Sequence, residues 1–157
     1  MVCAGAKAIL DLPATLEMLE TLGVPVVGYQ TDLFPEFYSA GKDLPVSVRL
    51  DTPQQVVDFG RAHWGIGMQS AILVCQPPPG TAALERTKVN EWIHQARHEA
   101  HEKRVKGQEL TPFLLRRLGE LSNGQTLRAN LALLLNNARL AAQIARLWSV
   151  GNKQKAG

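Results

Sequence analysis

The chain has 157 residues, 45% apolar and 20% charged, which is enough for one domain with its own core and unlike disordered, collagenous or disulfide-scaffolded chains. Its net charge of +3 is uneven: residues 1–80 carry four Lys or Arg against eight Asp or Glu, and residues 81–157 carry thirteen against six. The basic second half points to no nucleic acid polymer, because Arg97, Lys103 and Arg104 are interleaved with Glu91, Glu99 and Glu102 and no aromatic-basic alternation offers stacking platforms.

Val2 to Ala4 reads as the end of a short buried strand that breaks at Gly5, with Met1 directly against it. A strand that starts at residue 2 without a lead-in gives the chain the look of a piece cut from a larger domain. Leu12, Leu16, Leu19 and Leu22 have helical spacing, and Gly23 stops the helix. Val24 to Tyr29 is an apolar run of strand length, and Val46 to Leu50 alternates as a strand should. Thr52-Pro53-Gln54-Gln55 opens a helix: Thr52 can cap it, Pro53 needs no amide partner there, and Gln55 can reach back. That helix runs to about Trp64, and Ala71 to Cys75 forms the next strand, closed by Gln76-Pro77-Pro78-Pro79.

The remainder is helical: Lys88 to about Lys106, a second helix opened by Thr111-Pro112, and a third from Thr126 to about Trp148 after the Asn123-Gly124 break. Apolar strands alternating with helices predict a layered α/β/α fold on a mainly parallel sheet, here an incomplete part of a larger domain. That domain piece spans residues 1–150, and residues 151–157 read as a frayed basic tail. The longest apolar runs, Leu131 to Leu135 and Ala71 to Cys75, are too short to cross a bilayer, and Lys7 falls where a signal peptide needs its apolar core. Cys3 and Cys75 lack CxxC spacing and are expected as buried thiols in a reducing, cytoplasmic setting.

Templates for chemistry are mostly empty. His94, His98 and His101 have chelating spacing, but no Cys or HExxH glutamate completes a tetrahedral set, so they read as a solvent-facing stripe and no metal site is assigned. Glu17, Glu20, Asp32, Glu36, Asp51 and Asp58 fall on helix exteriors or in turns, where solvated charges are the default. GxSxG, P-loop and GxGxxG patterns are absent from the sequence. Lys7 is different. Set among apolar and glycine neighbours, it either snorkels to water or is desolvated into the neutral amine that imine chemistry needs. Asn130 is placed in the first turn of the last helix, where a side chain can meet a ligand. Asn136 and Asn137 are poor helix formers set among leucines.

Val2-Cys3-Ala4-Gly5-Ala6-Lys7-Ala8-Ile9-Leu10-Asp11 resembles the lysine motif of the pseudouridine-5′-phosphate glycosidases, also called the indigoidine synthase A-like family. The likeness continues through Thr15 to Thr21, Gly23 to Tyr29, Phe34-Pro35-Glu36-Phe37, Arg49-Leu50-Asp51, Thr111 to Leu115 and Asn136 to Ala141. It covers nearly all of this chain, as about the C-terminal half of a family member. The resemblance implies a manganese-dependent, homotrimeric enzyme that reversibly cleaves pseudouridine 5′-phosphate to uracil and ribose 5-phosphate through a lysine Schiff base. Lys7 falls on the family's nucleophile and Asn130 on an asparagine that contacts the base. The family's glutamate acid, phosphate-binding lysine and metal-binding aspartate belong to the other half, so this chain alone is expected to be inactive. The alternative is a non-catalytic remnant that pairs with a full-length subunit. Gln76-Pro77 departs from the family's frequent Asn-Pro, and no role is carried over there.

Overall fold

The computed structural model describes residues 1–153. Four parallel strands, β1 (Val2–Cys3), β2 (Val26–Tyr29), β3 (Val48–Leu50) and β4 (Leu73–Cys75), form one sheet in the order β1-β4-β2-β3. Val2 and Cys3 lie opposite Val74 and Cys75, and Val27 lies between Val74 and Val48. Strand side chains alternate between two buried faces, as the pleat requires. Val26, Cys75 and Cys3 pack under α1 (Leu12–Thr21), with its Leu12, Leu16 and Leu19. Val27, Val74 and Val2 pack on the other face with Val56 and Phe59 of α2 (Pro53–Gly65) and Leu140 and Ile144 of α5 (Gln125–Lys153). Helices on both faces of a parallel sheet make this the expected layered α/β/α architecture.

Local chemistry accounts for the starts of α1 and α2. Asp11 caps α1 through the Ala14 amide at 3.0 Å, with Pro13 in the first turn. Thr52 and Gln55 form a reciprocal capping box: the Gln55 amide donates to Thr52 Oγ1 at 3.2 Å, and the Thr52 amide donates to Gln55 Oε1 at 3.0 Å. α2 lies close on α5 at Gly60, where an added Cβ would press against Trp64 and Trp148. Those two indoles meet edge to face, with ring centroids 5.5 Å apart.

A second core joins α3 (Arg86–Glu102), α4 (Leu110–Leu121) and the start of α5 around Ile9, Val89, Ile93, Phe113, Leu114, Leu118 and Ala129. Arg117 of α4 grips Glu99 of α3 with two hydrogen bonds, at 2.6 and 2.9 Å.

Three expectations need correction. β1 is an outer strand of the sheet, and Val2 and Cys3 are half-buried rather than buried, because β4 returns between β1 and β2. β3 is shorter than the alternating run, since Val46 and Ser47 spend their amides on Asp32 and Val26 carbonyls. α5 extends through Lys153, into the expected tail; residues 154–157 of that tail lie outside the described residues. Among the described residues no helix is long and apolar enough to cross a membrane.

Candidate active site

Because all strands are parallel, they deliver their following loops to one edge of the sheet: Ala4 to Lys7 after β1, Gln30 after β2, Asp51 after β3 and Gln76 after β4. Open α/β sheets bind ligands at this carboxyl edge. The β1 loop is held tightly there. Gly5 bridges to Glu36, the Phe37 amide donates to the Ala4 carbonyl at 3.1 Å, and Gly5 has φ +78°. A Cβ on Gly5 would land on the Pro35 carbonyl oxygen. The glycine two residues before the lysine is therefore a steric requirement, and Phe34 to Phe37 is the clamp that imposes it. Beyond Lys7 the chain turns, with the Leu10 amide donating to the Lys7 carbonyl at 2.8 Å. The next turn is pinned by Arg97, which donates to the Ile9 carbonyl at 2.6 Å.

Lys7 itself is exposed. Of the two sequence-based readings, the side chain reaching water is the one found; the residues of this chain do not bury the amine. Asn130 is half-buried and lies in the second turn of α5, not the first, because the helix already starts at Gln125. The Ser122 hydroxyl accepts the Thr126 amide at 3.2 Å across the preceding turn, which sets that start. Ile9, two residues past Lys7, and Ala129, beside Asn130, belong to the same core cluster, so both candidates border one packed unit.

Glu36 overturns the expectation of a solvated acid. Its side chain is only 10% exposed and meets Arg86 at 2.8 Å, while Arg86 also reaches Asp43 at 3.3 Å. A buried carboxylate needs such a partner. The signal in the sequence was the Phe34-Pro35-Glu36-Phe37 segment itself, an acid wedged among residues destined for the core. Asn137 is likewise explained: its Oδ1 accepts Nε2 of the buried Gln76 at 3.0 Å, tying the end of β4 to α5. Together with Tyr29, Gln30, Asn136 and Arg139, Gln76 lines a cleft of about 390 Å³ at the carboxyl edge.

The three histidines of α3 are exposed, and His98 approaches Glu102 at 3.7 Å. Among the described residues no group of three or more His, Cys, Asp or Glu converges to hold a metal ion. The two thiols are free and lie side by side, Sγ to Sγ 3.6 Å. The hydrogen bond with Cys75 pulls the Cys3 thiol down to about 7 against the opposing effect of burial. Cys75 is pushed up by the same bond and by burial.

The profile of the family described as indigoidine synthase A like protein matches residues 1–147. Pseudouridine-5′-phosphate glycosidase of Legionella pneumophila is 48% identical over 145 residues, which is 92% of this chain and 46% of that protein. Its counterpart in Geobacillus kaustophilus is 46% identical over 146 residues, 93% of this chain and 48% of that protein. The chain thus spans about half the length of the curated relatives it matches. The crystal structure of the prealnumycin C-glycosynthase AlnA, in complex with ribulose 5-phosphate, superposes with a TM-score of 0.89 at 31% identity, covering 98% of this chain and 51% of that one. An indigoidine synthase A-like protein from Thermotoga maritima gives 0.81 at 38% identity, covering 92% and 47%.

Proposed function

Because the chain belongs to the indigoidine synthase A-like family, we propose that it is the C-terminal, nucleophile-bearing half of a pseudouridine-5′-phosphate glycosidase. The observation that carries this reading is the placement of Lys7: a lysine set by the Gly5–Glu36 clamp at the carboxyl edge of the sheet, within the matched residues. Relatives bearing that activity in their names are 46% and 48% identical over almost the whole chain.

The chemistry suits an amine. Pseudouridine joins sugar to base by a C–C bond, so the two-carboxylate route of ordinary glycosidases meets a poor leaving group. Lys7 nitrogen displaces the ring oxygen at the sugar's C1 and opens the ribose. As the uracil carbon takes up a proton, the C–C bond breaks with its electron pair going to uracil, and the nitrogen lone pair forms the C=N bond. Water then releases ribose 5-phosphate and restores the amine. Asn130 fits the base contact, being half-buried beside the same core unit.

The described residues do not form a manganese site on their own. The ion's aspartate ligand, the glutamate acid and the phosphate-binding lysine belong to the other half of the family-length polypeptide in this reading. Pairing of copies as a homotrimer is part of the same proposal, and the free thiols Cys3 and Cys75 suit a reducing cytoplasm.

Borohydride trapping tests the centre of the reading. Added during turnover by a family-length polypeptide containing this chain, borohydride reduces the imine and leaves a ribose-phosphate adduct on the Lys7 peptide. The other half holds the sugar near the amine and raises its effective concentration, so the 157-residue chain alone traps little. Lys7→Arg abolishes the adduct although the charge survives, because guanidinium stays protonated. An adduct on a different lysine, or full activity in Lys7→Arg, overturns the assignment.

A further inference from the structure

Cys3 and Cys75, the two cysteines of the chain, stand directly opposite each other on β1 and β4 and point to the same face, toward Leu12 and Phe34. We propose that they form an oxidisable dithiol, which hydrogen peroxide converts into a cross-strand disulfide with Cys3 as the first sulfur to react. This reading stands independently of the glycosidase assignment.

The geometry favours the bond. Neighbouring strands run about 4.8 Å apart, inside the roughly 4.4–6.8 Å range of Cα separations that a disulfide accepts. The sulfurs are 3.6 Å apart in the thiol form, so closure to the bond length of about 2 Å needs only side-chain rotation and a small strand shift.

Order of reaction follows from access and charge. Cys75 is 0% exposed, whereas Cys3 is half-buried, so a reagent meets Cys3 first. The groups that favour the Cys3 thiolate are the Cys75 S–H and the Gly5 amide; α1 presents only leucines to this cluster. Thiolate character selects the sulfur that oxidises.

The step balances. The Cys3 thiolate attacks one peroxide oxygen, an S–O bond forms, the O–O bond breaks, and hydroxide leaves to take up a proton. Cys75 sulfur then attacks Cys3 sulfur, the S–S bond forms, the S–O bond breaks, and the departing hydroxide takes the Cys75 proton. Two thiols lose two electrons in all, and one peroxide becomes two waters.

The test uses the 157-residue chain and hydrogen peroxide, followed by alkylation in denaturant and peptide mass spectrometry. The expected product is a Cys3–Cys75 cross-linked peptide pair, lighter by two hydrogens and restored by dithiothreitol. In Cys75→Ser, a 1,3-dione probe captures sulfenic acid on Cys3; in Cys3→Ser, Cys75 stays reduced under the same dose. If both thiols of the unsubstituted chain still alkylate after peroxide, the dithiol proposal is overturned. Disulfides between chains, or oxidation of Cys75 in Cys3→Ser at the rate of the unsubstituted pair, overturn it too.

Discussion

At Gly5 the backbone sits at φ +78°, and a methyl group would collide with the Pro35 carbonyl, so two independent constraints exclude any side chain there. Positive φ alone costs a non-glycine residue on the order of 1–3 kcal/mol, and the collision with backbone adds to it. Gly5→Ala is therefore expected to lower stability by at least about 2 kcal/mol, read as a shift in the urea midpoint. It should also free the Lys7 loop from the Phe34–Phe37 clamp. A variant with unchanged midpoint would show that the loop finds another path. The glycine of this loop was legible in the sequence as the break after the first strand, because the end of the strand and the steric need fall on the same residue. The apolar segment around Glu36 hinted at its burial, but its partner was not legible, because Arg86 lies fifty residues away and no local pattern announces that pairing. Asn137 is a parallel case: it looked misplaced only until Gln76, on a different element, supplied its hydrogen bond.

Elements whose ends are set by near neighbours were legible, and elements whose place is set by crossovers were not. The Thr52–Gln55 box closes within four residues, so α2 begins where its sequence says it does. The outer position of β1 depends instead on β4 inserting between β1 and β2, a consequence of chain path that strand composition does not encode. Arg86, the first residue of α3, shows how a long-range contact joins elements: it ties α3 to the turn that holds the β1 loop. Arg86→Met keeps the stem and removes the charge, leaving the Glu36 carboxylate mostly buried without its partner. Breaking fully buried pairs costs about 3–5 kcal/mol, and Arg86 retains contact with water, so roughly 2 kcal/mol is expected. The companion Glu36→Gln, Arg86→Met double variant should recover much of that loss in thermal melts, since the stranded charge is gone. A double variant as unstable as Arg86→Met would place the cost in packing of the arginine stem instead.

At the scale of the whole molecule, the sheet and its two faces close well around the strands, yet one apolar surface is left uncovered. Leu127, Leu131, Leu134 and Leu135 are 55–61% exposed, and their spacing puts them on one face of α5. Exposed Ala138, Ala142 and Ala145 prolong that face. A second apolar groove, of about 370 Å³, runs beside the outer strand between Val2, Trp64, Ile72 and Trp148. Single exposed leucines are ordinary, whereas a contiguous stripe is a surface that associates. The outer edge of β1 adds backbone groups open to another strand. Curated relatives are about twice as long as this chain, and in the reading proposed above their remaining half and neighbouring copies supply the cover. The 157-residue chain alone is therefore expected to bind a hydrophobic dye and to elute above its 17.2 kDa monomer mass, increasingly so with concentration. Leu131→Lys with Leu135→Lys should reduce both signals while leaving helix content unchanged, because neither side chain belongs to the core. A monodisperse monomer that melts cooperatively and ignores the dye would mean that these surfaces are self-sufficient, and the half-domain reading would fall with that result.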